Sequence, residues 1–115
     1  MQYRDFENTG IRISALGFGA MRLPEKEIKG EYHIDKQESV EIIQRAFKLG
    51  VNYVDTAYAY GYGESELAVG KALKGWRDKV YLSTKMPTRM VKKKMTIRHL
   101  FGQLVSQILK WLIFC

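Results

Sequence analysis

The stretch Gly50-Val-Asn-Tyr-Val-Asp55 decides the fold of this chain, because a short apolar strand directly follows a glycine that ends a helix. Before it, Asp35 and Glu38 form an N-capping pair, and apolar residues then recur at helical spacing as far as Gly50. After it, the pattern predicts a second helix over about Ser65 to Lys74 and a further strand over Val80–Thr84. Such alternation predicts parallel βαβ units, in either an open sheet or a barrel.

Upstream of these units, the sequence predicts a β-hairpin and one more strand. Tyr3–Phe6 and Ile11–Ile13 flank Glu7–Gly10, a turn whose glycine permits a positive φ. The apolar run Leu16–Met21 is predicted to be a buried strand, and Pro24 to Tyr32 a polar loop. The expected order is therefore a hairpin followed by strand, helix, strand, helix and strand.

The glycines of the Leu16–Met21 run do not make a dinucleotide-binding fingerprint. That motif needs a third glycine and a helix directly after the loop, whereas here Gly17-Phe-Gly19 is followed by Arg22 in the third place and by a long polar segment. The simpler interpretation is that these glycines are small residues that allow the strand end to pack tightly.

Length and charge limit the possible functions. The chain has 115 residues, 46% hydrophobic and 27% charged, so it can form one domain, whereas a closed eight-stranded α/β barrel needs about 250 residues. Met1 to Pro87 carries 13 basic and 12 acidic residues, so +6 of the net charge of +7 lies in Thr88–Cys115. This basic segment lacks any nucleic-acid readout motif, and no nucleic-acid partner is expected.

Cysteine usage and hydropathy bear on the compartment. Cys115 is the single cysteine, so no intramolecular disulfide can form, and a reducing, cytoplasmic location is expected. Leu100–Cys115 is apolar, but it is too short for a membrane-spanning helix and is interrupted by polar residues.

Three side chains are predicted to meet where the strands end. Asp55 ends one strand, Lys85 follows the next, and Tyr60 lies five residues beyond Asp55. The carboxyl ends of parallel strands share one rim of a sheet or barrel, which is where chemistry gathers. A free phenol has a pKa of about 10, and a nearby ammonium favours its ionised form, so an acid, an ammonium and a phenol together suit proton transfer to a carbonyl oxygen.

Five motifs follow one another along the chain: Leu16-Gly-Phe-Gly-Ala-Met21, Gly50 to Tyr60, Gly63-Glu-Ser-Glu66, Val69-Gly-Lys-Ala-Leu73 and Tyr81-Leu-Ser-Thr-Lys85. In this order they resemble the aldo/keto reductase family, and the resemblance covers about residues 1–93. It implies the N-terminal part of a (β/α)8 TIM barrel, preceded by a β-hairpin. It also implies reduction of aldehydes and ketones with NADPH, less often NADH, without a metal.

The resemblance also assigns roles residue by residue. It implies that Tyr60 is the proton donor of the family and that Asp55 and Lys85 are its catalytic aspartate and lysine. Tyr58 and Tyr62 are then packing or loop residues. The residues implied to line the nicotinamide are Gly19, Ala20, Met21 and Asp55.

Neither histidine of this sequence matches the position of the family's catalytic histidine. It is expected some thirty residues beyond Lys85, whereas His99 comes too early and His33 falls in the predicted polar loop. The chain is therefore expected to be a single partial domain, an incomplete barrel that is close to inert alone and could self-associate through unpaired strand edges.

Residues 94–115 are expected to diverge from the family as a basic, apolar, amphipathic tail. Three interpretations stay open: the third helix of the barrel, a stretch out of register through a frameshift or a truncated gene model, or a helix that docks on an anionic membrane or a partner groove. The last would make the chain a binding module rather than an enzyme.

Overall fold

The computed structural model of the chain describes residues 1–85, and it begins with the expected hairpin. Strand β1 (Tyr3–Asp5) pairs antiparallel with β2 (Arg12–Ser14). Between them lies a 3₁₀ turn, Glu7–Thr9, which ends at Gly10 with a φ of 71°. The predicted hairpin is confirmed, and its glycine has the backbone conformation for which it was singled out.

A second hairpin replaces the polar loop predicted over Pro24 to Tyr32, and that prediction was wrong. After the short strand β3 (Phe18–Gly19), strands β4 (Glu25–Ile28) and β5 (Glu31–Ile34) pair antiparallel. Lys29 and Gly30, with φ of 55° and 84°, form a two-residue turn between them. Most side chains of this hairpin are exposed, so they lack the alternation of apolar and polar residues that predicts a strand.

The first helix has the ends that the sequence predicts. Helix α1 (Lys36–Lys48) begins after Asp35, whose carboxylate accepts two first-turn backbone N–H groups at 3.1 Å each. Two residues beyond its last residue, Gly50 has a φ of 95° and donates its N–H to the carbonyl of Phe47 at 2.9 Å. This left-handed C-terminal cap is one that glycine adopts without steric penalty.

The remaining elements complete two parallel βαβ units. They are β6 (Tyr53–Asp55), a 3₁₀ turn (Tyr60–Gly63), α2 (Ser65–Ala72), another 3₁₀ turn (Arg77–Lys79) and β7 (Tyr81–Ser83). Strands β3, β6 and β7 form a parallel sheet with β6 in the centre. The predicted order of parallel strands and helices is confirmed, but the β4–β5 hairpin interrupts it before α1, and α2 ends two residues earlier than expected.

The register of this sheet separates a core face from an open face. Val54 lies beside Phe18 and Leu82, and all three pack into the core under the helices. Because side chains alternate along a strand, the next row, made by Gly19, Asp55 and Ser83, points to the opposite face. The buried core residues are Ala20, Leu23, Ile34, Ile43, Phe47, Val54, Ala68, Val69, Ala72, Leu73 and Val80.

The part of the chain that the structure describes is an α/β unit without a closed barrel. Within it, no helix has the length and hydrophobicity to cross a membrane. The predictions made for the tail over 94–115, for His99 and for Cys115 lie outside the described residues. The division of the chain at residue 93 stays a prediction.

Candidate active site

Asp55 and Lys85 meet at the carboxyl edge of the parallel sheet. Asp55 is the last residue of β6 and lies beside Ser83 of β7, so the chain delivers Lys85 just past the same edge. The Lys85 Nζ lies 2.7 Å from Asp55 Oδ1 and 2.9 Å from Oδ2. The sequence prediction that these two groups face each other is confirmed in its geometry.

All three hydrogen-bond donors of the Lys85 ammonium have acceptors. Besides the two carboxylate oxygens, the Thr56 carbonyl accepts at 3.1 Å. The bond to Asp55 raises the pKa of Lys85 above its ordinary value of 10.5, and contact with Tyr60 raises the pKa further. The ammonium therefore stays charged near neutral pH and is held in one place.

Tyr60 brings its aromatic ring to the same ammonium. It begins the 3₁₀ turn after β6, where its N–H donates to the Ala57 carbonyl at 3.0 Å. The ring centroid lies 4.7 Å from Lys85 Nζ, within the range of a cation–π contact. The structure thus unites the three side chains predicted to be catalytic, and each of them is at least partly exposed.

Two buried, hydrogen-bonded hydroxyl groups lie beneath the carboxyl edge of the parallel sheet. The Ser65 hydroxyl donates to the Ala20 carbonyl at 2.7 Å, so its oxygen accepts from Thr56 Oγ1, which lies 2.8 Å away. Both hydroxyl side chains are fully buried. Sequence reasoning missed this network, because Ser65 at the start of a helix has the pattern of an ordinary cap.

The residues predicted to line a nicotinamide have three different environments. Gly19 lies beside Asp55, and a Cβ placed on it would meet no atom of residues 1–85 within 4 Å, so this part of the chain leaves the space next to it open. Met21 is 57% exposed. Ala20 is fully buried, with its N–H bonded to the Asp55 carbonyl at 2.8 Å, so in this structure it supports the strand end. Cofactor contact by these three residues and by Asp55 stays a prediction.

His33 lies in a second polar cluster and not with the three predicted catalytic groups. It is on β5, where Nδ1 is 3.5 Å from Glu64 and Nε2 is 3.8 Å from Glu31. Across residues 1–85, no group of three or more histidine, cysteine, aspartate or glutamate side chains is arranged to hold a metal ion.

Together these features define a class of protein: a parallel α/β unit with a carboxylate, an ammonium and a phenol on the carboxyl edge of its sheet. Residues 15–107 match the sequence profile of the aldo/keto reductase family. The chain therefore belongs to that family of oxidoreductases.

Individual relatives agree with this assignment. The chain is 41% identical over 87 residues to the aldo-keto reductase YhdN of Bacillus subtilis, an alignment that spans 74% of this chain and 25% of that protein. It is 40% identical over 79 residues to a probable aldo-keto reductase of Glycine max, across 66% of this chain and 21% of that protein. The chain thus spans about a quarter of the length of these relatives.

Solved structures show the same relationship. The holo form of the aldo-keto reductase AKR11C1 from Bacillus halodurans matches with a TM-score of 0.63 and 37% identity, over 75% of this chain and 26% of that one. The aldo-keto reductase Tm1743, in complex with the inhibitor epalrestat, matches with a TM-score of 0.58 and 34% identity, over 73% of this chain and 30% of that one.

Proposed function

We propose that this chain carries the proton-donating part of an NAD(P)H-dependent carbonyl reductase site. Tyr60 is the proton donor, Lys85 supplies the charge that assists it, and Asp55 holds Lys85. The substrates are small aldehydes and ketones, which become alcohols. The observation that carries the proposal is the Lys85 ammonium, bonded to both oxygens of Asp55 while it faces the ring of Tyr60.

The residues divide the work of one proton transfer. Asp55 fixes the ammonium, whose raised pKa keeps it charged. As Tyr60 gives its proton to the carbonyl oxygen, negative charge develops on the phenol oxygen, and the nearby ammonium stabilises that charge. A nicotinamide bound at this rim would supply the hydride to the carbonyl carbon.

The described residues fit the reactive end of such a cofactor. The open space beside Gly19 adjoins Asp55, and the exposed thioether of Met21 offers an apolar, adaptable surface for a flat ring. Ala20 contributes indirectly, through its buried backbone bond to the Asp55 carbonyl. Family resemblance supports NADPH over NADH and a complete barrel around the site, with its histidine on a later strand.

Because the chain spans about a quarter of its relatives, the decisive experiment supplies the rest of the barrel. A hybrid enzyme would join residues 1–85 of this chain to the remaining part of the Bacillus subtilis reductase. We expect it to oxidise NADPH when a reactive aldehyde is added, followed by absorbance. Replacing Tyr60 by phenylalanine should then lower kcat by about 10²–10⁴.

The chain offers a matched control in the same turn. Tyr62 is 63% exposed and also carries a phenol, so Tyr62→Phe removes the same hydroxyl group two residues away. It should leave kcat within about twofold of that of the unmodified hybrid. A twofold change corresponds to ~0.4 kcal/mol in the activation free energy. An active hybrid in which Tyr60→Phe has no effect would contradict the proposal.

A reducing cytoplasm is the compartment that we propose for this reaction. A single cysteine in the chain supports it, since structural disulfides are typical of oxidising compartments.

A further inference from the structure

Glu64 joins the turn that carries Tyr60 to the opposite hairpin. Its carboxylate accepts the backbone N–H of Ile34 at 3.0 Å and pairs with the Lys36 ammonium at 2.5 Å. His33 Nδ1 lies 3.5 Å from the same carboxylate. The Glu64 side chain is only 18% exposed, so these bonds are partly shielded from water.

A steric contact with Ile34 holds the same turn at a second point. Gly61 has a φ of 53°, and a Cβ built on it would lie 2.1 Å from Cδ1 of Ile34. Ile34 itself is 1% exposed in the core. Glu64 closes the turn by donating its own N–H to the Gly61 carbonyl at 2.8 Å. Ile34 therefore meets the turn through both its backbone and its side chain.

The Glu64 clamp, meaning Glu64 with Ile34 and Lys36, is built around a charged carboxylate. The hydrogen bond from Lys36 lowers the pKa of Glu64, and this effect outweighs burial, which by itself raises the pKa. The carboxylate is therefore ionised at neutral pH, where it is the stronger acceptor for both partners.

We propose that Glu64 is a positioning residue that sets where the Tyr60 ring lies relative to the Lys85 ammonium. The clamp fixes one end of the Tyr60–Gly63 turn on the junction between β5 and α1, while Tyr60 begins the turn at the other end. This inference rests on the proposed function for the role of Tyr60, but the geometric effect of the clamp does not need catalysis to be observed.

The ring of Tyr60 provides a spectroscopic test in the full chain. An aromatic ring 4.7 Å from Lys85 Nζ shifts the NMR signals of the adjacent ε-methylene group, and Tyr60→Leu gives the reference without that ring. We expect Glu64→Ala to lose more than half of this ring-current shift. Glu64→Gln, which keeps an acceptor for the Ile34 N–H, should retain most of it.

Glu31→Ala is the matched control. Glu31 also lies near His33, but its side chain is 83% exposed and has no bond to the turn, so the ring-current shift should not change. A folded Glu64→Ala variant with the full shift would overturn the proposal. If that variant does not fold, Glu64→Asp, whose shorter side chain draws the carboxylate back from the Ile34 N–H, takes its place, and retention of the full shift in this variant would overturn the proposal equally.

A kinetic arm separates this inference from the proposed function. In the hybrid enzyme, Glu64→Ala should lower kcat by up to about 10²-fold through misplacement of Tyr60, with the KM for NADPH unchanged. Unchanged kcat, or a parallel rise in the KM for NADPH, would overturn the inference. An inactive hybrid would count against the proposed function alone, since the ring-current shift reports the clamp without turnover.

Discussion

The two ends of strand β6 use polar side chains in opposite ways. At the amino end, Asn52 accepts the Ser14 N–H at 2.7 Å and donates to the Arg12 carbonyl at 2.9 Å. Its own N–H donates to the Ser14 hydroxyl at 3.1 Å. These bonds fasten the β1–β2 hairpin to the sheet, so at this end polar groups serve the fold.

At the carboxyl end, Asp55 and Lys85 bond each other while their side chains stay 34% and 49% exposed. Only three positions separate Asn52 from Asp55, yet the second can still meet an incoming molecule. The polar side chains at the amino-end rim of this α/β unit therefore stabilise the fold. Those at the carboxyl-end rim are available for chemistry, as in barrels and open parallel sheets.

The largest effect should come from the carboxyl end. Lys85→Met keeps an unbranched chain but removes the charge that faces Tyr60, so kcat of the hybrid enzyme should fall by about 10²–10⁴. Stability should change little, because partly exposed ion pairs contribute only about 0–1 kcal/mol. Steady-state kinetics and a urea titration measure the two effects separately. A large loss of stability with kcat preserved would show that the carboxyl end also serves stability and would contradict its catalytic role.

The amino end should show the opposite behaviour. Asn52→Leu leaves the Ser14 N–H and the Arg12 carbonyl without their partner, which should lower the free energy of unfolding by about 2–4 kcal/mol. Urea unfolding measures this loss. The kcat of the folded hybrid should be unchanged. A fall in kcat without a loss of stability would contradict the claim that the amino end serves only the fold.

Gly61 tests how tightly the turn at the carboxyl end is packed. Gly61→Ala forces a methyl group against Ile34 at a positive φ, and it should destabilise the chain by about 1–3 kcal/mol. Gly75→Ala is the control, since Gly75 has a φ of 75° but, among the described residues, no atom within 4 Å of a built Cβ. Its cost should be about 1 kcal/mol, from backbone strain alone. Equal losses in thermal or urea unfolding would show that the turn is loosely packed.

The smallest effect concerns pH and the cap of α1. Backbone hydrogen bonding to Glu38 lowers the pKa of Asp35 below 3.8. The resulting stabilisation is present above 3.8 and is lost as the pH falls through the folded-state pKa. Asp35→Asn keeps a capping oxygen but cannot titrate, so its stability should vary less with pH in this acid range. Urea midpoints measured from pH 5 to pH 2 would reveal the difference, and parallel curves would refute it.

Local signals account for the parts of the fold that the sequence predicts well. Asp35 and Gly50 mark the ends of α1, and glycines close the first hairpin and follow α2. The β4–β5 hairpin escapes prediction because its strands are largely exposed and carry no apolar alternation. Its Lys29-Gly30 turn was the one local signal available.

The site shows the same limit. Strand order alone predicts that Asp55 and Lys85 share an edge, and spacing places Tyr60 near them. The Glu64 clamp and the Thr56–Ser65 bond join residues that are distant in the chain or have several possible partners. Which acceptor each group finds depends on tertiary packing, and no local pattern encodes that choice.

The Lys85 titration, followed by NMR of its ε-carbon in the full chain, tests the central claim most directly. A midpoint above 10.5 is predicted, falling in Asp55→Asn by more than in Tyr60→Phe, because the Asp55 bond is the larger cause of the raised pKa. The Asp55–Lys85 ion pair then stabilises the fold below pH 10.5, and this contribution to stability is lost as the pH rises through the folded-state pKa of Lys85. A midpoint at or below 10.5 that Asp55→Asn leaves unchanged would contradict the account.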